Sequence, residues 1–266
     1  MQRGLRVILA VLLLAVGCKE KKLVLKTEVI QVDSLEQVIL LDDTLVTPVT
    51  YTHLKGLEYQ PVPKAKKLFI SAILPSVLIA KYHLAEQRLK LHQLKDKNKW
   101  SDSDSLFYHD LKMRYKATDL ENLLLRMATV PNSIVLAQAV VESGWGQSRF
   151  FKEGNNIFGM WSYNDNEPRI PAKFKRDDKR IHLRVYKNFS ESIDDYFKTL
   201  GTARAYRELR HALKETNDPY QLLPHLRFYS ERRNDYVVQL KKIIDQNNLV
   251  QYDKYTIDPK YLVEEE

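Results

Sequence analysis

The first residue in this chain with the features of a catalytic group is a carboxylate at the end of an apolar segment. In the stretch AQAVVESGWGQS, residues 137–148, Glu142 follows small and branched apolar residues that are typical of a buried helix. A carboxylate held against apolar neighbours loses hydration, which raises its pKa and suits it to donate a proton near neutral pH. Glutamate is also unfavourable at the negative end of a helix dipole, so the position predicts a role beyond stability. The alternative interpretation is a helix-end glutamate that points into water.

The residues after Glu142 are of the types that form ligand-binding loops. Half of the eight glycines fall between Gly144 and Gly159, and Trp145 and Trp161 lie within or beside this stretch. Glycine lets a backbone turn sharply or approach a ligand closely, and tryptophan offers a flat face for stacking on sugar rings or bases. The sequence therefore predicts a ligand-binding loop next to the carboxylate.

The helix that carries this carboxylate is bounded by clear signals. Pro131 precedes a cap at Asn132 or Ser133, and Gly144 is a stop. Helical periodicity covers most of the chain from residue 66 onward. A mainly α fold is therefore predicted.

One short region departs from the helical pattern. The stretch KFKRDDKRIHLRVY, residues 173–186, alternates like a β-hairpin whose turn lies at Asp177, Asp178 and Lys179. Acidic residues are common in such turns and need no functional reason there. The sequence thus predicts a helical body with a small β lobe.

Three segments together resemble one enzyme family, the bacterial glucosaminidases of glycoside hydrolase family 73, and within it the Bax-type subgroup. These are LAQAVVESGWGQSRFFKEGNNIFGMW at 136–161, LRVYKNFSESIDDYFKTLGTARAYRELR at 183–210 and FYSERRNDYVVQLKKIIDQNNL at 228–249. The similarity covers about residues 66 to 250. It implies a lysozyme-like α-helical domain with a β-hairpin lobe. It also implies cleavage of the β-1,4 bond after N-acetylglucosamine in peptidoglycan.

The resemblance also implies roles for individual residues. Glu142 takes the position of the general acid that protonates the leaving oxygen. The second carboxylate would be Asp177 or Asp178, which stand where the family usually has a glutamate. A substrate-assisted route, with the sugar's own acetamide as nucleophile, would need only Glu142 and a polar helper. Tyr229 matches a tyrosine of the family's cleft that positions the acetamide or water, or else it is a packing residue.

Substrate binding is assigned to residues around the same carboxylate. The candidates are Gln138, Trp145, Asn155, Asn156 and Trp161. The tryptophans are candidate walls for sugar rings or core residues, and the asparagines either bind sugar or shape the turn. The seven histidines are scattered without HExxH-like pairing, so neither a metal nor another cofactor is expected.

The N-terminal residues indicate export. MQRGLRVILAVLLLAVGC, residues 1–18, has a basic start, an apolar core and a small residue before Cys18, which is typical of a secretory signal. LAVGC resembles a bacterial lipobox, which implies lipidation of Cys18. The alternative is an ordinary signal peptide with an incidental cysteine. Lys19, in place of an aspartate, implies sorting to the outer membrane, facing the periplasm.

Composition narrows the possible partners. The formal net charge of +8 favours an anionic partner, and export makes nucleic acid an improbable one. Cys18 is the only cysteine, so neither a disulfide nor a catalytic thiol is expected in the mature chain. The expected partners are peptidoglycan strands and, through the lipid, a membrane. A wall-binding lipoprotein with the same fold but no turnover is the competing class.

The predicted organisation has four parts: a signal peptide at 1–18, a tether or accessory segment at 19–65, the glucosaminidase-like domain at 66–250 and a C-terminal tail at 251–266.

Overall fold

Helices form most of the ordered backbone. The computed structural model describes residues 23–176 and 179–265. The helices are α1 (Val62–Lys95), α2 (Asp102–Arg114), α3 (Leu120–Arg126), α4 (Asn132–Ser143), α5 (Arg149–Gly154), α6 (Phe189–Thr202), α7 (Arg207–Ala212), α8 (Pro219–Leu222) and α9 (Asn234–Gln246). The strands are β1 (Leu23–Leu25), β2 (Glu28–Gln31), β3 (Leu45–Val46), β4 (Val49–Thr52), β5 (Trp161–Ser162), β6 (Arg169–Arg176), β7 (Lys179–Arg184), β8 (Thr256–Ile257) and β9 (Leu262–Glu264). The predicted mainly α class with a small β-hairpin lobe is confirmed.

The long helix α1 is the centre of the core. Residues 68–80 are all buried, and the helix packs against α4, α6 and β4. It continues through Pro75 without ending there. Among the described residues, α1 alone is long and apolar enough to cross a membrane, but 78% of its apolar window is buried inside the protein. Its hydrophobicity is explained by this internal packing.

Helix α4 presents the carboxylate at its last turn. Its predicted end is confirmed, because Gly144 closes the helix in a left-handed conformation at φ 59°. The predicted cap is wrong, since Pro131 occupies that position without a side-chain bond. Asn132 and Ser133 are turned inward instead. Their side chains bond the Tyr252 carbonyl and the Asp253 carboxylate, which ties α4 to the chain after α9.

The β lobe is a three-stranded antiparallel sheet in the order β5-β7-β6. The hairpin register runs from Arg169 opposite Arg184 to Arg176 opposite Lys179. This pairing confirms the predicted strands. Asp177 and Asp178, predicted to form the turn, lie outside the described residues.

The segment before α1 is part of the main body rather than a separate arm. Strand β2 pairs in parallel with β4, and Val49, Tyr51, Leu54 and Leu57 are buried in the same core as the helices. The C-terminal strands complete this region, because β1 pairs with β9 and β3 pairs with β8. These strands are too short for the local sequence to show that they pack into the core.

Gly201 allows α6 to approach α3 closely, and we expect Gly201→Ala to destabilise the fold. A Cβ at this position would overlap the Arg126 carbonyl oxygen and lie 3.1 Å from the Tyr115 ring. Alanine normally favours a helix over glycine by about 1 kcal/mol, but this overlap should instead cost about 1–3 kcal/mol. The measurement is the free energy of unfolding in denaturant. Thr202→Ala, which adds no atoms in the same turn, is the control; an unchanged or raised stability of Gly201→Ala would contradict the expectation.

Candidate active site

Glu142 lies at the penultimate position of α4, half-buried and facing a cleft. The Tyr236 hydroxyl, on the first turn of α9, donates a 2.8 Å hydrogen bond to its Oε1. Burial raises the pKa of the Glu142 carboxyl. The hydrogen bond from Tyr236 and the positive charge of Arg232 lower that pKa in part. The carboxyl is therefore biased towards the protonated form, as the apolar segment predicted.

Behind Glu142 lies a set of fully buried polar side chains. Gln138, one turn earlier on α4, donates through Nε2 to the Tyr236 hydroxyl at 3.0 Å, and Tyr196 of α6 donates to Gln138 Oε1 at 2.6 Å. The assignment of Gln138 to substrate binding needs correction, because its exposure is 0%. Helical spacing alone placed it near Glu142, but on the face that points into the core.

Tyr229 lines the cleft beside Glu142. Its ring stacks on Tyr236 with centroids 5.7 Å apart and an interplanar angle of 4°, and the Tyr206 ring lies 6.0 Å away. Burial, with smaller contributions from neighbouring tyrosines and Glu142, raises the pKa of Tyr229 well above its usual value. Burial likewise raises the pKa of Tyr206 to about 12. These phenols stay protonated and can donate hydrogen bonds.

The cleft has a volume of about 650 Å³ and lies between the helical body and the β lobe. Its walls come from α4, the loop before β5, β7, α6 and the segment before α9. The lining residues are Glu142, Phe158, Gly159, Met160, Trp161, Tyr163, Arg184, Asp195, Thr199, Tyr206, Tyr229, Ser230, Glu231 and Arg232.

Trp161 and Tyr163 supply the exposed aromatic surface of this cleft. Trp161 is 37% exposed and Tyr163 is 81% exposed, with their rings 6.2 Å apart. Such faces can stack on sugar rings. Trp161 was among the predicted site residues, whereas Tyr163 was not, because nothing in its local sequence separates it from a loop tyrosine.

Asp195 is a cleft carboxylate that the sequence did not single out. Its Oδ2 accepts 2.6 Å bonds from both Arg184 and the Tyr186 hydroxyl. These two donors fix the orientation of the Asp195 carboxyl group in the cleft wall. The pair Asp194–Asp195 reads as an ordinary solvent-facing turn of α6, so only the packing of the β lobe reveals its position.

Trp145 does not lie among the residues that line the cleft. Its ring packs on Phe69 of α1 at 5.5 Å, and the Lys66 ammonium lies 4.9 Å from its centre. The backbone there is left-handed, with φ 56°, which turns the side chain towards α1. Its predicted role as a sugar-binding wall needs correction to a packing role.

Asn155 and Asn156 are buried and bond to the protein's own backbone. Asn155 accepts from the His53 N–H at 2.8 Å and donates to the Tyr186 carbonyl at 2.8 Å. Asn156 accepts from the Met160 N–H at 2.9 Å and donates to the Arg184 carbonyl at 2.9 Å. Their predicted contact with sugar is replaced by the alternative: these amides shape the loop and attach it to the β lobe.

Three predicted site residues cannot be placed in this geometry. Cys18 and the pair Asp177 and Asp178 fall outside the described residues. Within the described ranges 23–176 and 179–265, His, Cys, Asp and Glu side chains form no group of three that could hold a metal ion.

Comparison with known proteins shows sequence similarity to one family over part of the chain. Residues 120–249 match the Glucosaminidase family profile, described as mannosyl-glycoprotein endo-beta-N-acetylglucosaminidase. Protein bax of Escherichia coli strain K12 is 28% identical over 153 residues, covering 54% of this chain and 54% of that protein. Exo-glucosaminidase LytG of Bacillus subtilis strain 168 is 26% identical over 211 residues, covering 72% of this chain and 68% of LytG. The chain thus spans about half the length of the first relative.

Among solved structures, the catalytic domain of the autolysin Auto from Listeria monocytogenes matches with 21% identity and a TM-score of 0.40. The match covers 61% of this chain and 94% of that domain.

Proposed function

We propose, on the premise that residues 120–249 form a glucosaminidase-family domain, that this chain is a peptidoglycan hydrolase. It cleaves the β-1,4 glycosidic bond after N-acetylglucosamine, as an endo-β-N-acetylglucosaminidase. The observation that carries the proposal is Glu142: a half-buried carboxyl with a raised pKa that accepts a hydrogen bond from Tyr236 and lines a cleft of about 650 Å³. The relatives bear names that include exo-glucosaminidase and peptidoglycan hydrolase.

Glu142 acts as the general acid. Burial raises its pKa, so the carboxyl keeps its proton at a higher pH than an exposed glutamate would. It gives this proton to the glycosidic oxygen as the bond to the anomeric carbon breaks. Activity should therefore fall as the pH rises through the pKa of Glu142.

The second reaction partner comes from the hairpin or from the substrate. Asp177 or Asp178, the two residues between β6 and β7 in the sequence, would activate water or stabilise the positively charged sugar. The alternative route uses the acetamide of the sugar as nucleophile, with Tyr229 positioning it from its place beside Glu142. Trp161 and Tyr163 would hold neighbouring sugar rings against the cleft.

The competing proposal is a wall-binding protein without turnover. One observation favours this alternative: Asp177 and Asp178 stand in the sequence where the family usually has a glutamate. The test incubates the protein with purified peptidoglycan and measures both the bound protein and the release of new reducing ends. Release of fragments that end in N-acetylglucosamine supports the hydrolase, and binding without release supports the scaffold.

The place of action that we propose is the cell envelope, with lipid on Cys18 and sorting to the outer membrane. Cys18→Ser should abolish incorporation of labelled palmitate and leave the precursor uncleaved or release soluble protein. Lys19→Asp is the matched variant: it should keep the label but retain the protein in the inner membrane. Persistent palmitate label on Cys18→Ser would refute the lipid anchor.

A further inference from the structure

The hydrogen bonds behind Glu142 run in one direction. Tyr196 donates to Gln138 Oε1 at 2.6 Å, Gln138 Nε2 donates to the Tyr236 oxygen at 3.0 Å, and Tyr236 donates to Glu142 Oε1 at 2.8 Å. The two shorter distances are typical of O–H donors and the longer one of an N–H donor. The distances therefore agree with the direction of the chain.

Each hydrogen bond in this chain fixes the direction in which the next one is donated. Tyr196 and Tyr236 each have one hydroxyl proton, and burial raises the pKa of both, so the protons stay in place. Because the Gln138 amide oxygen accepts the hydrogen bond from Tyr196, the amide NH₂ faces Tyr236. Since the Tyr236 oxygen accepts that N–H, its own proton is directed to Glu142.

We propose that this chain of hydrogen bonds determines which oxygen of Glu142 carries the catalytic proton, and that Gln138 and Tyr196 are positioning residues. Oε1 already accepts the Tyr236 proton, so the acid proton is carried on Oε2 and is available to the glycosidic oxygen. When the bond breaks, its electrons pass to that oxygen, which takes the proton and becomes a hydroxyl, while water or the sugar's own acetamide forms the new bond to the anomeric carbon. Glu142 is left as a carboxylate, which the Tyr236 hydrogen bond stabilises. The catalytic meaning rests on the proposed function, whereas the direction of the chain does not.

Tyr196→Phe is the sharpest probe because Tyr196 is buried and makes no hydrogen bond to Glu142. Without its proton, the Gln138 amide can turn and accept the Tyr236 proton. Glu142 then loses a hydrogen bond that lowers its pKa, so its pKa should rise. Protonated Glu142 can also donate a hydrogen bond to the Tyr236 oxygen instead of to the substrate. We expect kcat on soluble glycan fragments to fall about 10-fold, with KM little changed, as for loss of a hydrogen bond to a charged group.

The experiment measures the Glu142 pKa by carboxyl-carbon NMR and the pH dependence of kcat, both on the full chain. Tyr196→Phe and Tyr236→Phe should raise the Glu142 pKa and move the alkaline limb of the kcat profile to higher pH. In a Gln138→Met background, Tyr196→Phe should have no further effect, because Tyr196 acts only through the amide. Ser76→Ala, which removes a buried hydrogen bond to Thr50 outside the cleft, is the control and should change neither quantity.

The two proposals fail in different ways. A wild-type protein that binds peptidoglycan without cutting it refutes the proposed function, while the NMR titration still tests the chain. An unchanged Glu142 pKa in Tyr196→Phe, with a raised pKa in Tyr236→Phe, overturns the one-way chain. Equal effects of Tyr196→Phe with and without Gln138→Met overturn it as well. If Tyr196→Phe does not fold, Gln138→Met alone must lower kcat, and an unaffected kcat there overturns the proposal.

Discussion

Glu142→Gln should abolish most peptidoglycan cleavage while leaving the protein folded. The amide keeps the length of the side chain and can still accept the Tyr236 hydrogen bond at Oε1. It cannot deliver a proton, so the release of reducing ends should fall by at least ~10²–10⁴-fold, the usual contribution of a general acid. Removing a carboxyl that is costly to desolvate should leave the thermal midpoint equal or slightly higher.

The control for this substitution is Glu153→Gln, which neutralises an exposed glutamate on α5 paired with Arg149. Exposed pairs of this kind contribute little to stability, so both activity and folding should be retained. The wild-type rate should decline at alkaline pH, and the residual rate of Glu142→Gln should lose that decline because the titrating group is gone. Undiminished cleavage by Glu142→Gln would sink the assignment of the acid.

The second large loss of activity is expected from substitution of Asp177 or Asp178. If Asp177 or Asp178 is the base, its change to Asn should lower wall lysis by ~10²-fold or more. Asp165→Asn is the matched control, because Asp165 is an exposed aspartate of the same lobe that pairs with Arg169. Lysis is measured by turbidity of a wall suspension and by counting reducing ends.

The double variant Asp177→Asn and Asp178→Asn separates the two mechanisms. Full activity in the double variant would remove both aspartates from the reaction and favour the substrate-assisted route. Tyr229→Phe should then lower the rate strongly, since its hydroxyl would be the group that holds the acetamide. A severe loss in the double variant together with a normal rate in Tyr229→Phe favours the base.

Local sequence was sufficient where one element carries the information. The apolar run before Glu142, closed by Gly144, predicted helix α4 and the raised pKa of the carboxyl, because burial on one helix face is a local property. Alternation predicted the strands of the hairpin for the same reason.

Sequence reasoning failed where the fold brings distant residues together. The amide side chains of Gln138, Asn155 and Asn156 are of a type that binds sugars. Residue type alone, however, does not show whether an amide is buried in the protein or faces a cleft, and these three are buried. Tyr196 lies 58 residues from Gln138 along the chain, and only the tertiary fold brings the two side chains together. Nothing in its local pattern distinguishes it from an ordinary core tyrosine.

The pairing of β1 with β9 bears on the proposed lipid anchor at Cys18. Leu23 pairs with Glu264 in an antiparallel ladder, and it stands five positions after Cys18 in the sequence. Five residues of any chain can span at most about 17 Å, since an extended residue covers roughly 3.3–3.6 Å. With lipid on Cys18, the body would be held close against the membrane surface and would sweep only a thin layer above it. Proximity to the membrane, rather than diffusion through the envelope, would then select the glycan strands that enter the cleft.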